Sequence, residues 1–170
     1  MGGKHYGESY EMTLEGTIRR TKTPFGMEGL YALGTDMRLK SIAINYENFA
    51  HEEPVVQDLV YNAKGVLEEV KYRKGAYTKL GNDPKTLLLT SIYSAFEDEG
   101  SVQPLQDMTI NFNQFGSVNQ ITDNLALTKY GHVGRTGSFE YNWKDELVHS
   151  VRYGEDLRYN YSQSGTFTQN

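Results

Sequence analysis

Any reaction centre in this sequence has to be assembled from four His, the carboxylates and the hydroxyl side chains, because the 170-residue chain has no Cys. That absence removes disulfides, thiolate metal sites and cysteine nucleophiles. His5, His51, His132 and His149 never fall at the close spacing that lets two imidazoles on one element share a zinc ion, so no metal site is expected. His51-Glu52-Glu53 gathers ligand-type residues beside Pro54, and reads as a solvated loop. The Gly-x-Ser-x-Gly pattern of a nucleophile elbow does not occur. Gly131, Gly134 and Gly137 flank Arg135 and Thr136 in a glycine cluster, but a phosphate loop needs a helix after it, and Phe139-Glu140-Tyr141 reads as strand. The stretch Gly131 to Gly137 is therefore expected to be a connecting loop. Paired carboxylates are abundant in an acidic chain of net charge −5. They leave a carboxylate-dependent hydrolase as an alternative without singling out a pair. No cofactor is expected.

The aromatic residues are more informative. The chain has 13 Tyr, 7 Phe and 1 Trp. Tyr suits a pleated, half-buried surface, where its ring packs and its hydroxyl stays wet. Trp143 stands at a turn position, where a large ring has no core to enter, which suits an interface hot spot. Trp143, Tyr141, Tyr159 and Tyr161 are accordingly the candidate ligand-binding residues, for a glycan or a protein partner. No basic stripe of the kind that grips nucleic acid is present. No apolar run is long enough to span a membrane as a helix.

The elements that must position these side chains are hairpins. Tyr61-Asn62-Ala63-Lys64-Gly65-Val66-Leu67, Phe112-Asn113-Gln114-Phe115-Gly116-Ser117-Val118 and Tyr141-Asn142-Trp143-Lys144-Asp145-Glu146-Leu147 align without gaps. A degenerate copy runs from Tyr161 to Phe167, and the spacing between copies is uneven. In each, the aromatic ends a strand and Asn opens the turn by bonding nearby backbone. Gly, or Asp less comfortably, takes the positive-φ position that closes it, and aliphatics begin the return strand. Ile110 and Phe112 should share one strand face, as should Phe139 and Tyr141, with Thr, Asn and Glu on the wet face. Further strands are expected at Tyr10–Leu14, Thr17–Thr21, Arg38–Tyr46, Val70–Leu80, Leu125–Tyr130 and Leu157–Tyr161, with Met27-Glu28-Gly29 as a loop.

The fold class is therefore all-β and mainly antiparallel, a curved hairpin meander or half-barrel forming a single domain over residues 1–170. One segment reads two ways. Asp83-Pro84 resembles a helix start, and Leu88, Leu89, Ile92, Tyr93 and Phe96 share a helical face, which allows one short helix near 84–97. Thr90 to Ser94 has strand composition instead. With a half-barrel, Leu87 to Phe96 could act as the lid of an apolar-ligand or lipid carrier.

The unit Tyr-Asn-x-x-Gly-x-Leu-x-x-Val at Tyr61 to Val70, echoed at Phe112 to Ile121 and more weakly from Tyr141, resembles the YD-repeat (RHS-like) family. It carries Asn for the family's Asp and lacks the Arg that follows Gly. The resemblance implies a bacterial hairpin array that forms structural shells or stalks and does no chemistry itself. It implies an exported, periplasmic or cell-surface location. The sequence shows no signal peptide, and in an exported protein Met1-Gly2-Gly3 would take the place of a removed one. The function expected is a non-enzymatic binding or structural scaffold.

Overall fold

The computed structural model describes residues 7–46, 51–125, 135–152, 155–162 and 167–168. The chain is all-β. Strands β1 (Ser9–Met12), β2 (Ile18–Lys22), β3 (Met27–Leu33), β4 (Leu39–Tyr46), β5 (Glu53–Tyr61), β6 (Leu67–Tyr72), β7 (Ala76–Asn82), β8 (Leu89–Asp98), β9 (Ser101–Phe112), β10 (Val118–Asp123), β11 (Arg135–Tyr141), β12 (Leu147–Arg152) and β13 (Glu155–Arg158) form one open sheet in that order. The separate pair β14 (Asn160–Tyr161) and β15 (Phe167–Thr168) follows. By density of contact the chain divides into two compact units, residues 1–78 with 96–101, and residues 79–95 with 102–170.

One turn design builds six of the hairpins among the described residues. At Thr13, Thr23, Gly34, Asn62, Asn113 and Asn142 the turn's first N–H donates to the carbonyl four residues on, and its first carbonyl accepts from the N–H three residues on. The donor of that second bond always has positive φ: Gly16 (83°), Gly26 (78°), Met37 (62°), Gly65 (82°), Gly116 (88°) and Asp145 (62°). This is the three-residue hairpin connection with a bulge, in which the left-handed residue lets the strands re-pair after a type I turn. The opening side chain reinforces it. Oδ1 of Asn62 accepts from the N–H groups of Lys64 (2.9 Å) and Val66 (3.1 Å), and Asn113 and Asn142 do the same in their turns. Thr13 and Thr23 reach only the second of these donors, each at 3.2 Å. Gly34 has no side chain, and Asp36 supplies the acceptor for Arg38 N–H instead (3.2 Å).

The aromatic before the turn has a task of its own. Tyr61 donates its hydroxyl to Leu39 O (3.0 Å), Tyr141 to Val118 O (2.7 Å) and Tyr161 to Leu147 O (2.9 Å). Each acceptor is the first paired residue after an earlier turn, so the phenol ties one hairpin to the preceding one. Phe112 stands in the same place without a hydroxyl.

In the first unit a cross-strand row joins Tyr31, Ile42, Val56 and Tyr72. Val56 is buried there, and the rings and branched chains on either side stabilise the ladder. The opposite face carries an ion network: Glu28 is buried and bonded to Arg20 (2.5 Å) and Lys22 (3.3 Å), with Glu11 3.5 Å from Arg20. In the second unit Ile110, Ile121 and Gly137 align. Phe139 lies over Gly137, where a Cβ would sit 3.3 Å from the ring. Asn111 and Glu140, on the other face, are exposed, as the alternation predicts.

Several expectations are corrected. There is no helix at 84–97: Leu89–Asp98 is strand β8, and so it is no lid. The Asp83 carboxylate caps a turn rather than a helix, accepting from the N–H groups of Lys85 (2.9 Å) and Thr86 (2.7 Å) and from the Thr86 hydroxyl (3.0 Å). β8 carries half-buried side chains on both faces, and apolar residues on two faces imitate a helical period. Met27-Glu28-Gly29 opens strand β3. Val70–Leu80 is interrupted by a tight turn at Arg73–Gly75, where Lys74 and Gly75 both have positive φ. Glu53 and Pro54 begin β5 instead of lying in a loop, and Glu53 pairs with Arg73. Arg135 to Gly137 belong to β11, while Gly131 to Gly134 and most of Leu125–Tyr130 fall outside the described residues.

Candidate functional site

The Asn142 turn places Trp143 at its first free position. Asn142 is occupied holding the backbone, and its Nδ2 also donates to Glu146 Oε2 (2.8 Å). Asp145 accepts from Ser117 Oγ beside the Asn113 turn (2.5 Å), so the two turns are fastened together. The Trp143 ring is 88% exposed, with the Lys144 ammonium 5.2 Å from its centroid. A turn this thoroughly bonded holds its tip in one conformation, and that lowers the entropy lost when the tip is covered.

Beside it lies a hollow of 300 Å³, lined by Trp143, Lys144, Val148, Tyr159, Asn160 and Tyr161 among others. Its far wall is the segment that follows β13. Tyr159 N–H donates to Val148 O (2.9 Å), and the Tyr159 hydroxyl meets Ser150 Oγ at 3.1 Å, with Ser150 buried. Thus three of the residues singled out in the sequence, Trp143, Tyr159 and Tyr161, surround one hollow. Tyr141 does not line it. Burial first, and then the charge of Asp145, push its phenol above the ordinary value, so it stays a hydrogen-bond donor to Val118. Tyr161 also spends its hydroxyl on backbone, which leaves its ring to the hollow. The surface has an apolar ring, an ammonium, a carboxylate and an amide, which is the chemistry of recognition.

A larger hollow of 670 Å³ lies elsewhere in the second unit, lined by Leu105, Met108, Ile121, Phe139, Asp123 and Arg152 among others. Among the described residues no group of His, Asp and Glu is arranged to hold a metal ion. No helix among them is long and apolar enough to cross a membrane.

One cluster was not legible in the sequence. His149 sits on β12 with Nε2 2.8 Å from Asp156 Oδ1 of β13 and Nδ1 3.4 Å from Glu140 Oε1 of β11. The bond to Asp156, followed by that to Glu140, holds the imidazole pKa above its usual value. Cross-strand register, not chain spacing, brings these groups together.

No family model matches the chain, and no curated protein matches it. Solved structures do. The chain is similar to part of the TcdB2-TccC3-Cdc42 crystal structure, with a TM-score of 0.77 at 15% identity, over 96% of this chain and 9% of that one. It is similar to part of a Photorhabdus luminescens Tc holotoxin pore, with a TM-score of 0.78 at 16% identity, again over 96% and 9%. TcdB2-TccC3 without its hypervariable C-terminal region gives a TM-score of 0.78 at 16% identity and the same coverage. The chain spans less than a tenth of the length of these solved chains, and at this identity what it shares with them is the fold: a meandering antiparallel sheet.

Proposed function

We infer that the chain is a non-enzymatic β scaffold, a section of sheet wall in an exported or cell-surface assembly, with protein partners. The observation that carries this reading is how little of the sheet is covered. Among the described residues the buried hydrophobic side chains are Val56 and Ala95, and both units leave rows of apolar residues half-exposed. A sheet with so little core serves best as a part of something larger, because exposed apolar area of this kind marks a contact surface. The likeness to toxin complexes supports the same reading, as does the Tyr-Asn hairpin unit with its RHS-like resemblance. Trp143, with Tyr159 and Tyr161 behind it, is the partner contact in the second unit, as an exposed rigid aromatic on a braced turn suits a hot spot.

Sedimentation of the purified chain, combined with binding of an anilinonaphthalene dye, tests the reading. The expected result is a folded chain that self-associates or binds the dye through its uncovered face. A monomer that ignores the dye, or turnover of a glycoside or ester substrate that disappears with one carboxylate, overturns it.

A further inference from the structure

The ion cluster on β12 acts on the same segment that walls the hollow. His149 lies in register with Arg158 of β13, between Glu140 of β11 and Asp156 of β13. We propose that His149 is a protonation-controlled latch that fastens β13, and with it the Tyr159 to Ser162 wall of the hollow, to β12. This holds whether or not the hollow takes a partner, because it concerns the attachment of the strand alone.

The geometry is specific. A protonated imidazole has two N–H donors, and here each ring nitrogen faces one carboxylate. Neutral imidazole loses its charge and one N–H, so the bond to Asp156 drops from a charge-assisted one to an ordinary one at best, and the ring nitrogen left without a proton meets its carboxylate lone pair to lone pair. The stronger contact by distance is the one to β13. Arg158 is the other charged group facing His149 from β13. It is 77% exposed, and its Nε lies 4.0 Å from Asp156, so its charge is turned to that carboxylate and to water. Among the described residues the strand it serves has little else to hold it. All of β13 is exposed, so backbone bonds to β12 and this cluster are its main attachments. Tyr159, Asn160 and Tyr161 follow within three residues of Arg158.

The sign follows from linkage. The imidazole binds its proton more tightly in the folded chain than in the unfolded one. The latch is therefore fully closed below the ordinary histidine value and opens as pH rises through the higher folded value. Opening at the alkaline side distinguishes it from the more common acid release.

Amide exchange of the full chain, corrected for the intrinsic rate and followed by nuclear magnetic resonance, tests this. Tyr159 N–H is the reporter. Its protection should fall several-fold between about pH 5.5 and about pH 8.5. Over the same range the Thr23 N–H in the first unit should hold steady. Asp156→Asn should lower the midpoint of the His149 ring titration and shrink the change, and His149→Gln should leave Tyr159 at its low protection throughout. If His149→Gln fails to fold, the wild-type titration and Asp156→Asn decide the matter. Equal Tyr159 protection at both pH values in the wild type, or a pH dependence that survives in folded His149→Gln, overturns the latch.

Discussion

Two glycines in the first unit provide a controlled comparison of backbone strain and steric clash. Gly75 and Gly100 each follow a residue that also has positive φ, Lys74 (58°) and Glu99 (47°), so each closes a two-residue hairpin turn of the primed kind. Their own φ values are nearly equal, 76° and 80°. Alanine at either site has to enter the left-handed region, which costs about 1–2 kcal/mol for an L residue. Their surroundings differ. A Cβ on Gly100 meets nothing within 4 Å, whereas one on Gly75 would lie 2.4 Å from the backbone oxygen of Glu97. A backbone carbonyl in a strand cannot swing aside like a lysine tip, so relief requires moving β8 or the turn. Displacements of this sort typically cost a further 1–3 kcal/mol or about that. Gly100→Ala should thus lose about 1–2 kcal/mol, and Gly75→Ala about 2–5 kcal/mol. Subtracting the two removes the shared φ penalty and leaves the clash, about 5- to 150-fold in the folding equilibrium. Urea unfolding monitored by far-ultraviolet circular dichroism measures both variants. Equal losses would refute the reasoning, because they would mean that the contact with Glu97 plays no part in holding the turn.

Other expectations are simpler. Tyr141→Phe removes the hydroxyl bond to Val118 and should cost about 0.5–1.5 kcal/mol by the same unfolding assay, while keeping the ring's packing. Asn62→Ala frees the N–H groups of Lys64 and Val66 and should cost about 1–2 kcal/mol, with Asn62→Thr recovering part of it, since Thr13 and Thr23 serve in the same role. Trp143→Ala should change stability by about 0.5 kcal/mol or less because the ring is solvated, yet it should weaken capture by any protein partner of the hollow. Glu28 is held below the usual carboxylate range first by its bond to Arg20, so the stability it contributes is present above the ordinary carboxylate value and is lost as pH falls through the lowered one. Melting curves recorded down the acid range should show that loss in the wild type and a weaker one in Glu28→Gln.

The hairpins were legible wherever the turn chemistry was written in side chains. Asn followed three residues later by Gly or Asp announces both an acceptor and a left-handed position, as at Asn62, Asn113 and Asn142. The turn at Thr13 follows from the strands expected on either side of it, Tyr10–Leu14 and Thr17–Thr21, whereas the Thr23 turn is hidden because no aromatic precedes it and a hydroxyl is a weaker signal, although Thr-x-x-Gly recurs at 13–16 and 23–26. The Gly34 turn hides its acceptor two positions along, in Asp36. Lys74-Gly75 was lost inside a β-rich run, where the dipeptide alone carried the signal. The ambiguity at 84–97 arose because a strand half-buried on both faces has no alternation to display. At the candidate site, exposure of Trp143 followed from its turn position, and Tyr159 and Tyr161 do surround the same hollow. The His149 cluster was beyond reach, since its partners are chosen by register between strands, and bulges beside the turns reset that register hairpin by hairpin.

The strand order along the sheet is also the order along the chain. Each strand therefore finds its partner in the segment made immediately before it, and no pairing has to wait for a distant stretch. Loop closure of this kind carries a small entropic cost and favours rapid folding for a β protein. During synthesis every completed hairpin offers the next strand a finished edge. The hydroxyls of Tyr61, Tyr141 and Tyr161 each meet a carbonyl just past an earlier turn, so these three bonds are satisfied only where that turn is closed in the register seen here.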